Sequence, residues 1–306
     1  MNALPYPDSA ATAGGGDIEV SFEFFPPRSQ VAATELWGAL LALESFGPRF
    51  VSVTCGACGT ARDGTQATVG RIRRETSLAP AAHLTCVGAS RAEVDRLAES
   101  YWEQGVRHIV ALRGDGSAPG APFEAHPDGY ANAAALVAGL KRIAPFEVSV
   151  AAYPECHPES PNKAADLDNL WRKIDAGADR AITQFFFAPE NFLRFRDQVA
   201  AVGIDVELVP GILPIANMAQ TRRFAGKCGA SMPEAMLRLF EGLDDRPEVR
   251  SLVAASVAAD LCARLHAEEV RHFHFFTLNR AELTYAVCHL LGLRPKEAIH
   301  EHSRAA

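Results

Sequence analysis

Short runs of β-branched and aromatic residues recur along the chain, and stretches with helical spacing lie between them. Strands are predicted over residues 19–25, 50–54, 81–86, 108–113, 147–153, 181–186, 205–210 and 272–277. Helices are predicted over 31–45, 92–103, 131–143, 191–201, 218–228 and 248–266. The last of these carries Val249, Leu252, Val253 and Val257 as one stripe, the repeat of a buried helix face. Gly105 and Gly203 stand just past two of the helices, where a left-handed residue commonly ends a helix. About eight strand–helix units in 306 residues favour an α/β fold, a single closed (β/α)8 TIM barrel, over an open sheet. Helical segments at 233–243 and 248–266 are extra and precede the eighth strand. No compositional break marks a second domain. The expected organisation is a flexible lead-in over 1–16, a barrel over 17–296 and a short tail over 297–306.

Alternation within the strands adds chemistry to this outline. Successive strand residues face opposite sides, so Val20, Phe22 and Phe24 share one face and Glu19, Ser21 and Glu23 the other. Pro26 and Pro27 then end the run. Polar residues recur toward the strand ends: Glu23, Ser52 and Thr54, His83 and Thr85, Arg113, Ser149 and Tyr153, and Gln184, with Asp115 one loop step after Arg113. A barrel interior is normally filled by branched hydrophobes, and barrel active sites lie at the C-terminal ends of the strands. Polar groups from six strands at that end point to a ligand. The plainer alternative for Glu23 is a solvated glutamate on a surface strand.

Composition narrows the classes. The chain is 48% hydrophobic and 22% charged, with a formal net charge of −7. Its basic residues are scattered, which disfavours nucleic-acid binding while leaving room for a local phosphate pocket. No apolar run is long enough to cross a bilayer, and residues 1–16 lack the basic and apolar regions of a signal peptide. The seven cysteines are odd in number and dispersed, which fits free thiols and a cytoplasmic setting. Cys55 and Cys58 have redox or half-zinc spacing, but no second pair completes a site, so no metal is expected.

Individual motifs sharpen the picture. Arg113-Gly114-Asp115 sets opposite charges around a glycine, either closing a turn as an ion pair or approaching a ligand. Residues 152–159 pack Tyr153, Glu155, His157 and Glu159 into a proline-stiffened loop that suits a flat heteroaromatic ligand. Asp166, Asn169, Arg172 and Lys173 recur at helical spacing. Gln184 is a lone amide in an apolar strand; 210–214 reads as a rigid turn; Asn279 reads as a helix N-cap, with Arg280 able to bind a carboxylate. No Rossmann fingerprint, P-loop or nucleophile elbow occurs.

Six of these segments, around Phe22-Glu23-Phe24-Phe25-Pro26-Pro27, Arg113-Gly114-Asp115, Ala151-Ala152-Tyr153-Pro154-Glu155, Thr183-Gln184-Phe185-Phe186-Phe187, Pro210-Gly211-Ile212-Leu213-Pro214 and Thr277-Leu278-Asn279-Arg280, stand in the order found in bacterial methylenetetrahydrofolate reductases. The chain resembles that family from about residue 20 to 295, in its short form without a regulatory domain. The resemblance implies an FAD-dependent oxidoreductase that uses NADH or NADPH in a ping-pong cycle to reduce 5,10-methylenetetrahydrofolate to 5-methyltetrahydrofolate. It further implies a homo-oligomer serving one-carbon and methionine metabolism. Glu23 matches the family's general acid and Asp115 the acid beside flavin and pterin. Thr54, Cys55, His83, Arg113, Gly114, Asp115, Tyr130, Ala131, Tyr153, His157, Ser160, Asp166, Asn169, Arg172 and Lys173 match cofactor-binding positions, with Thr54 and Gln184 near the nicotinamide. Asp115, Gln184, Gln220, Phe224 and Arg280 match folate contacts. Cys55 and Ala188 depart from the tyrosine and aspartate that relatives often carry. A carboxyl set among aromatic residues is expected to have a raised pKa. Barrels host many chemistries, so a flavin-free lyase, a pterin-dependent methyltransferase and a non-catalytic folate-binding subunit stand as alternatives.

Overall fold

A computed structural model describes residues 17–55, 62–116, 121 and 123–296. The expected lead-in, the tail and Cys58 lie outside the described residues. The strands are β1 (Glu19–Phe24), β2 (Val51–Val53), β3 (Pro80–Thr85), β4 (His108–Leu112), β5 (Glu147–Ala152), β6 (Arg180–Thr183), β7 (Glu207–Val209), β8 (Gly211–Ile212) and β9 (His272–Phe276). The helices are α1 (Gln30–Glu44), α2 (Arg62–Glu75), α3 (Arg91–Glu103), α4 (Ala133–Ile143), α5 (Lys163–Asp175), α6 (Pro189–Ala201), α7 (Met218–Cys228), α8 (Glu234–Leu239), α9 (Pro247–Ala267) and α10 (Ala281–Leu290).

All pairings are parallel, in the order β7-β6-β5-β4-β3-β2-β1-β9-β8. β7 pairs with β6, β8 pairs with β9, and only Pro210 separates β7 from β8. The nine strands therefore fill eight barrel positions, and the fold is a (β/α)8 barrel closed through one segment of chain. The sequence reading of one strand over 205–210 followed by a turn is corrected here. Proline has no N–H for the ladder, so pairing lapses at Pro210, while its carbonyl still accepts from His274 N at 3.0 Å. Gly211 is required at the restart, because a Cβ there would collide with the Thr183 carbonyl and the Phe276 ring.

Three helices, α7, α8 and α9, precede the last strand where the barrel pattern needs one, so two are extra, in the region 233–267 where the sequence placed them. Helix starts follow the chemistry of their N-caps: Ser29, Asn132, Asn162 and Asn217 each accept a backbone N–H, and Ser90 with Glu93 forms a full capping box. The strand alternation is as read. Val20, Phe22 and Phe24 are buried against the helices, each contributing roughly 1.5–3 kcal/mol. Phe50, Ala81, Val110, Ile182 and Val209 form a separate apolar cluster with Leu112. This plug inside the barrel leaves polar residues at both ends of the lumen.

Candidate active site

A cavity of about 750 Å3 opens at the C-terminal ends of the strands. That volume suits a cofactor-sized ligand. Strand ends β1 to β6 and β9 supply its floor through Glu23, Thr54, His83, Thr85, Ile182 and Phe276, and the loops after β4 and β5 supply one wall. Ser52 and Ser149, read from sequence as part of this polar set, do not line it; Ser149 bonds His108 at 2.7 Å inside the barrel.

Glu23 is held by its neighbours on β3 and β9. Its Oε2 lies 3.3 Å from His83 Nε2 and 3.7 Å from His274 Nε2. Burial pushes this carboxyl up, but the charge of His83 and hydrogen bonding by both rings outweigh it and bring it down to about 2. This reverses the raised value expected from sequence, which took account of the aromatic flank and not of histidines arriving from other strands. Burial in turn drives His274 below its ordinary range. The carboxylate is therefore ionised in the ligand-free pocket.

The backbone of β1 is fixed from β9. Thr277 donates to the Glu23 carbonyl from both N (3.2 Å) and Oγ1 (2.6 Å). The Asn279 side chain pairs with both sides of Phe25, accepting from its N at 2.8 Å and donating to its O at 3.0 Å. Asn279 is thus a strand clamp and not the helix cap expected; α10 begins at Ala281, and Arg280 at its N-cap position makes no side-chain capping bond.

The loop wall carries charges of both signs and is held by hydrogen bonds. Arg113 pairs with Glu159 at 2.6 Å and lies over the Phe123 ring, so the local Arg113–Asp115 pair considered from sequence is not formed. Gly114 takes a φ of +88°, which glycine adopts without strain. Asp166 accepts from His157 N (3.1 Å) and Ser160 Oγ (3.0 Å) and so holds the loop from behind without lining the cavity. Tyr153 packs edge-on against His157. Buried Lys173 donates to the Ala151 carbonyl at 2.6 Å, and burial lowers its pKa to about 8.

Cys55, Asp115, Ala131, Asn169 and Gln184 also line the cavity. Other expected site residues stand elsewhere. The buried Tyr130 donates to Asp95 at 2.6 Å, away from the cavity. Arg172 is exposed and pairs with Asp168 one turn earlier. Gln220, Phe224 and Arg280 are outside the lining; Phe224 packs with Phe185, Leu213 and Ala225 beside it, and Arg280 is exposed at the start of α10. The helical spacing of 166–173 identified a face, but each residue's tilt decides which end of it meets the cavity.

Residues that sequence reading passed over fill the other end of the lumen: His108, Arg180, Glu207, His272 and His274. The signal was present, since His272-Phe273-His274-Phe275 alternates with period two and so puts both imidazoles inside. Glu19, Glu207 and His272 bring ligand atoms within 4.8 Å of one another. Arg49 Nη1 already lies 3.0 Å from Glu19 and 2.7 Å from Glu207, so a guanidinium takes the place of a cation there.

The residues fit a phosphate-bearing flat cofactor. Thr54 Oγ1 is buried without a hydrogen-bond partner and lines the cavity, an arrangement that a ligand's polar edge relieves. Lys173 is a buried cation that an anionic group stabilises.

Fold and cavity define a (β/α)8 barrel of the kind that binds ligands at its C-terminal mouth. The methylenetetrahydrofolate reductase family model matches residues 9–292. The chain belongs to that family. It is 53% identical over 283 residues to 5,10-methylenetetrahydrofolate reductase of Pectobacterium carotovorum, covering 92% of this chain and 93% of that one. Against the enzyme of the same name from Escherichia coli it is 51% identical over 280 residues, covering 92% and 93%. Identity to methylenetetrahydrofolate reductase (NADH) 1 of Arabidopsis thaliana is 31% over 289 residues, spanning 91% of this chain and 49% of the plant protein. Among solved structures, a Clostridium thermocellum protein described as binding two copies of 5-methyl-5,6,7,8-tetrahydrofolic acid shares the fold, with a TM-score of 0.56 and 11% identity over 90% of this chain and 94% of that one.

Proposed function

We propose that the chain binds FAD in the cavity and reduces 5,10-methylenetetrahydrofolate to 5-methyltetrahydrofolate with NADH or NADPH, by ping-pong hydride transfer, as a cytoplasmic homo-oligomer. One observation carries this reading: a largely buried carboxylate, Glu23, between two histidines on the floor of a cavity in which Thr54 Oγ1 is left without a partner. Family membership supplies the substrate class. FAD, when bound, would supply the hydride carrier that links two half-reactions in one place. Arg113, Ser160, Asn169 and Lys173 would hold its phosphates and ribose, with Gly114 and Ala131 giving backbone close approach. Thr54, Cys55, His83, Tyr153 and His157 would border the flat ring system.

Glu23 would donate a proton to the folate nitrogen that leaves when the methylene bridge opens. The clamp from Thr277 and Asn279 keeps that carboxyl in register with the bound pterin. Asp115, exposed at the rim, would stabilise the cation so formed. Gln184 would pair with the pterin edge, while Gln220, Phe224 and Arg280, beyond the cavity lining, would meet the aminobenzoyl-glutamate tail.

The test is spectroscopic. Purified protein is expected to be yellow, to bleach anaerobically with NADH or NADPH, and to recover its colour when methylenetetrahydrofolate is added. Bleaching without recovery overturns the substrate, and a colourless protein that releases no flavin on denaturation overturns the cofactor.

A further inference from the structure

The reading above leaves the histidines of the lower lumen unused. β1 and β9 are neighbours, with Glu19 opposite His272, Ser21 opposite His274 and Glu23 opposite Phe276. Their inward faces form a continuous file. Glu207 Oε1 lies 3.0 Å from His272 Nδ1, His272 Nε2 lies 3.0 Å from Ser21 Oγ, and Ser21 Oγ lies 2.7 Å from His274 Nδ1. His274 Nε2 then faces Glu23 at 3.7 Å, a gap that a turn of the carboxylate closes. Ser21, His272 and His274 are buried, whereas the Glu207 side chain is 34% exposed at the opposite mouth of the barrel.

We propose that Ser21, His272 and His274 form a proton path along the barrel axis that recharges Glu23 from solvent at the N-terminal mouth. This rests on Glu23 acting as the acid in folate reduction. That reaction consumes one proton per turnover along with the hydride. Glu23 is only 13% exposed before any ligand binds, and a folate lying over it closes the upper route.

The bonding of the file allows two polarities. In one, His274 Nε2–H faces the Glu23 carboxylate, Ser21 donates to His274 Nδ1, and His272 Nε2–H donates to Ser21. His272 Nδ1 is then a bare lone pair beside the Glu207 carboxylate and Arg49 Nη1, which is 3.4 Å away. A proton from water, relayed by Glu207, is drawn to that nitrogen. His272 Nε2–H passes its proton to Ser21 Oγ, the Ser21 proton moves to His274 Nδ1, and the His274 Nε2 proton goes to Glu23. Each ring and the hydroxyl gain one proton and lose one, so one proton enters below and one arrives above, and both rings are left with their proton on Nδ1. The file resets once the folate has left: a proton from water at the open upper mouth enters at His274 Nε2, the same transfers run in reverse, and one proton leaves His272 Nδ1 by way of Glu207.

Other groups around the file are committed elsewhere. Arg180 pairs with Glu147 and Glu207, and His108 bonds Ser149. The Phe50 ring stacks on His274, and Phe276 packs edge-on against it, so the rings are held in line and shielded from water.

Ser21→Ala breaks the file at its centre, and His272→Gln keeps hydrogen-bonding capacity but cannot relay a proton. Both are mixed in the stopped flow, as reduced holoenzyme, with methylenetetrahydrofolate and excess NADH or NADPH. Wild type is expected to turn over at one rate. In both variants flavin reduction should stay within about twofold of wild type, while reoxidation by folate is about tenfold slower or more from the first turnover, the scale of a lost proton-transfer group. The slowed reoxidation should carry a larger solvent deuterium isotope effect than in wild type, which a merely structural defect does not produce. Reoxidation as fast as in wild type overturns the path, as does a parallel fall of both half-reactions. Independently of activity, 15N spectra of the holoenzyme should show His272 and His274 changing tautomer together in wild type and separately in Ser21→Ala. Separate behaviour in wild type also overturns the path. If folate fails to reoxidise wild-type flavin, the functional reading fails instead, and the spectra still decide the path.

Discussion

Glu23 shows how the surroundings of one residue set its chemistry. The aromatic residues that flank it along β1 face away from it, and the groups that reach its carboxyl come from β3 and β9. A carboxylate made acidic by two imidazoles is a poor donor alone, but the pair of rings holds the proton within reach. Glu23→Gln preserves shape and removes that exchange. It is expected to leave flavin reduction by nicotinamide within about twofold, while folate reduction falls by about 10²–10⁴, the usual worth of a general acid; equal loss in both half-reactions would remove the assigned role. Lys173 gives a second test at this scale. Its ammonium is buried with a carbonyl as its hydrogen-bond partner, so Lys173→Met should cost little in folding and weaken flavin retention on dilution by about ten- to a hundredfold, the worth of one charge-assisted bond. Unchanged flavin content after gel filtration would place the phosphates elsewhere.

Elements carry the next level, and the join between β1 and β9 is where it matters most. Leu278 and Asn279 take left-handed φ values of +52° and +60°, a conformation that asparagine tolerates better than most residues. That turn brings the Asn279 amide onto Phe25. Asn279→Ala removes both of its hydrogen bonds there and should destabilise the protein by about 1–3 kcal/mol, with folate reduction falling more than flavin reduction because the Glu23 strand end is freed. Chemical denaturation and the two half-reactions read these separately, and a loss of stability with no change in their ratio would limit the clamp to folding. Much of this level was legible in the sequence. Strand positions, the inward face of β1 and the helices before β9 follow from periodicity. Partners across the barrel do not, because Thr277 and Asn279 meet β1 from 254 residues away. The same limit hid the division of β7 from β8: Pro210 was visible, but only closure shows that the chain pairs with β6 before it and β9 after it. His272 and His274 were readable as inward-facing, yet their line through Ser21 to Glu23 exists only once β1 and β9 are adjacent.

The whole molecule is a cylinder with a polar group set at each mouth and an apolar cluster between. At the lower mouth Glu207 binds Arg180 at 2.7 Å, Arg49 at 2.7 Å and His272 at 3.0 Å, tying β6 and β7 to β9 and to the start of β2 where the barrel closes. Burial raises the Glu207 pKa, but His272 and Arg180 prevail and hold it at about 2, against an ordinary value of 4.5. The unfolded chain therefore takes up a proton near 4.5 that the folded chain refuses until about 2. By linkage, the stabilisation from this carboxylate is complete above the higher value and is lost as pH falls toward the lower one. Glu207→Gln removes the linkage, and it also leaves the buried Arg180 with Glu147 as its remaining carboxylate. The variant should be less stable than wild type at neutral pH, and the difference in urea midpoint should shrink steadily as the pH is lowered between those two values. A difference independent of pH would mean that the carboxylate contributes packing and hydrogen bonds but no charge to closure of the barrel.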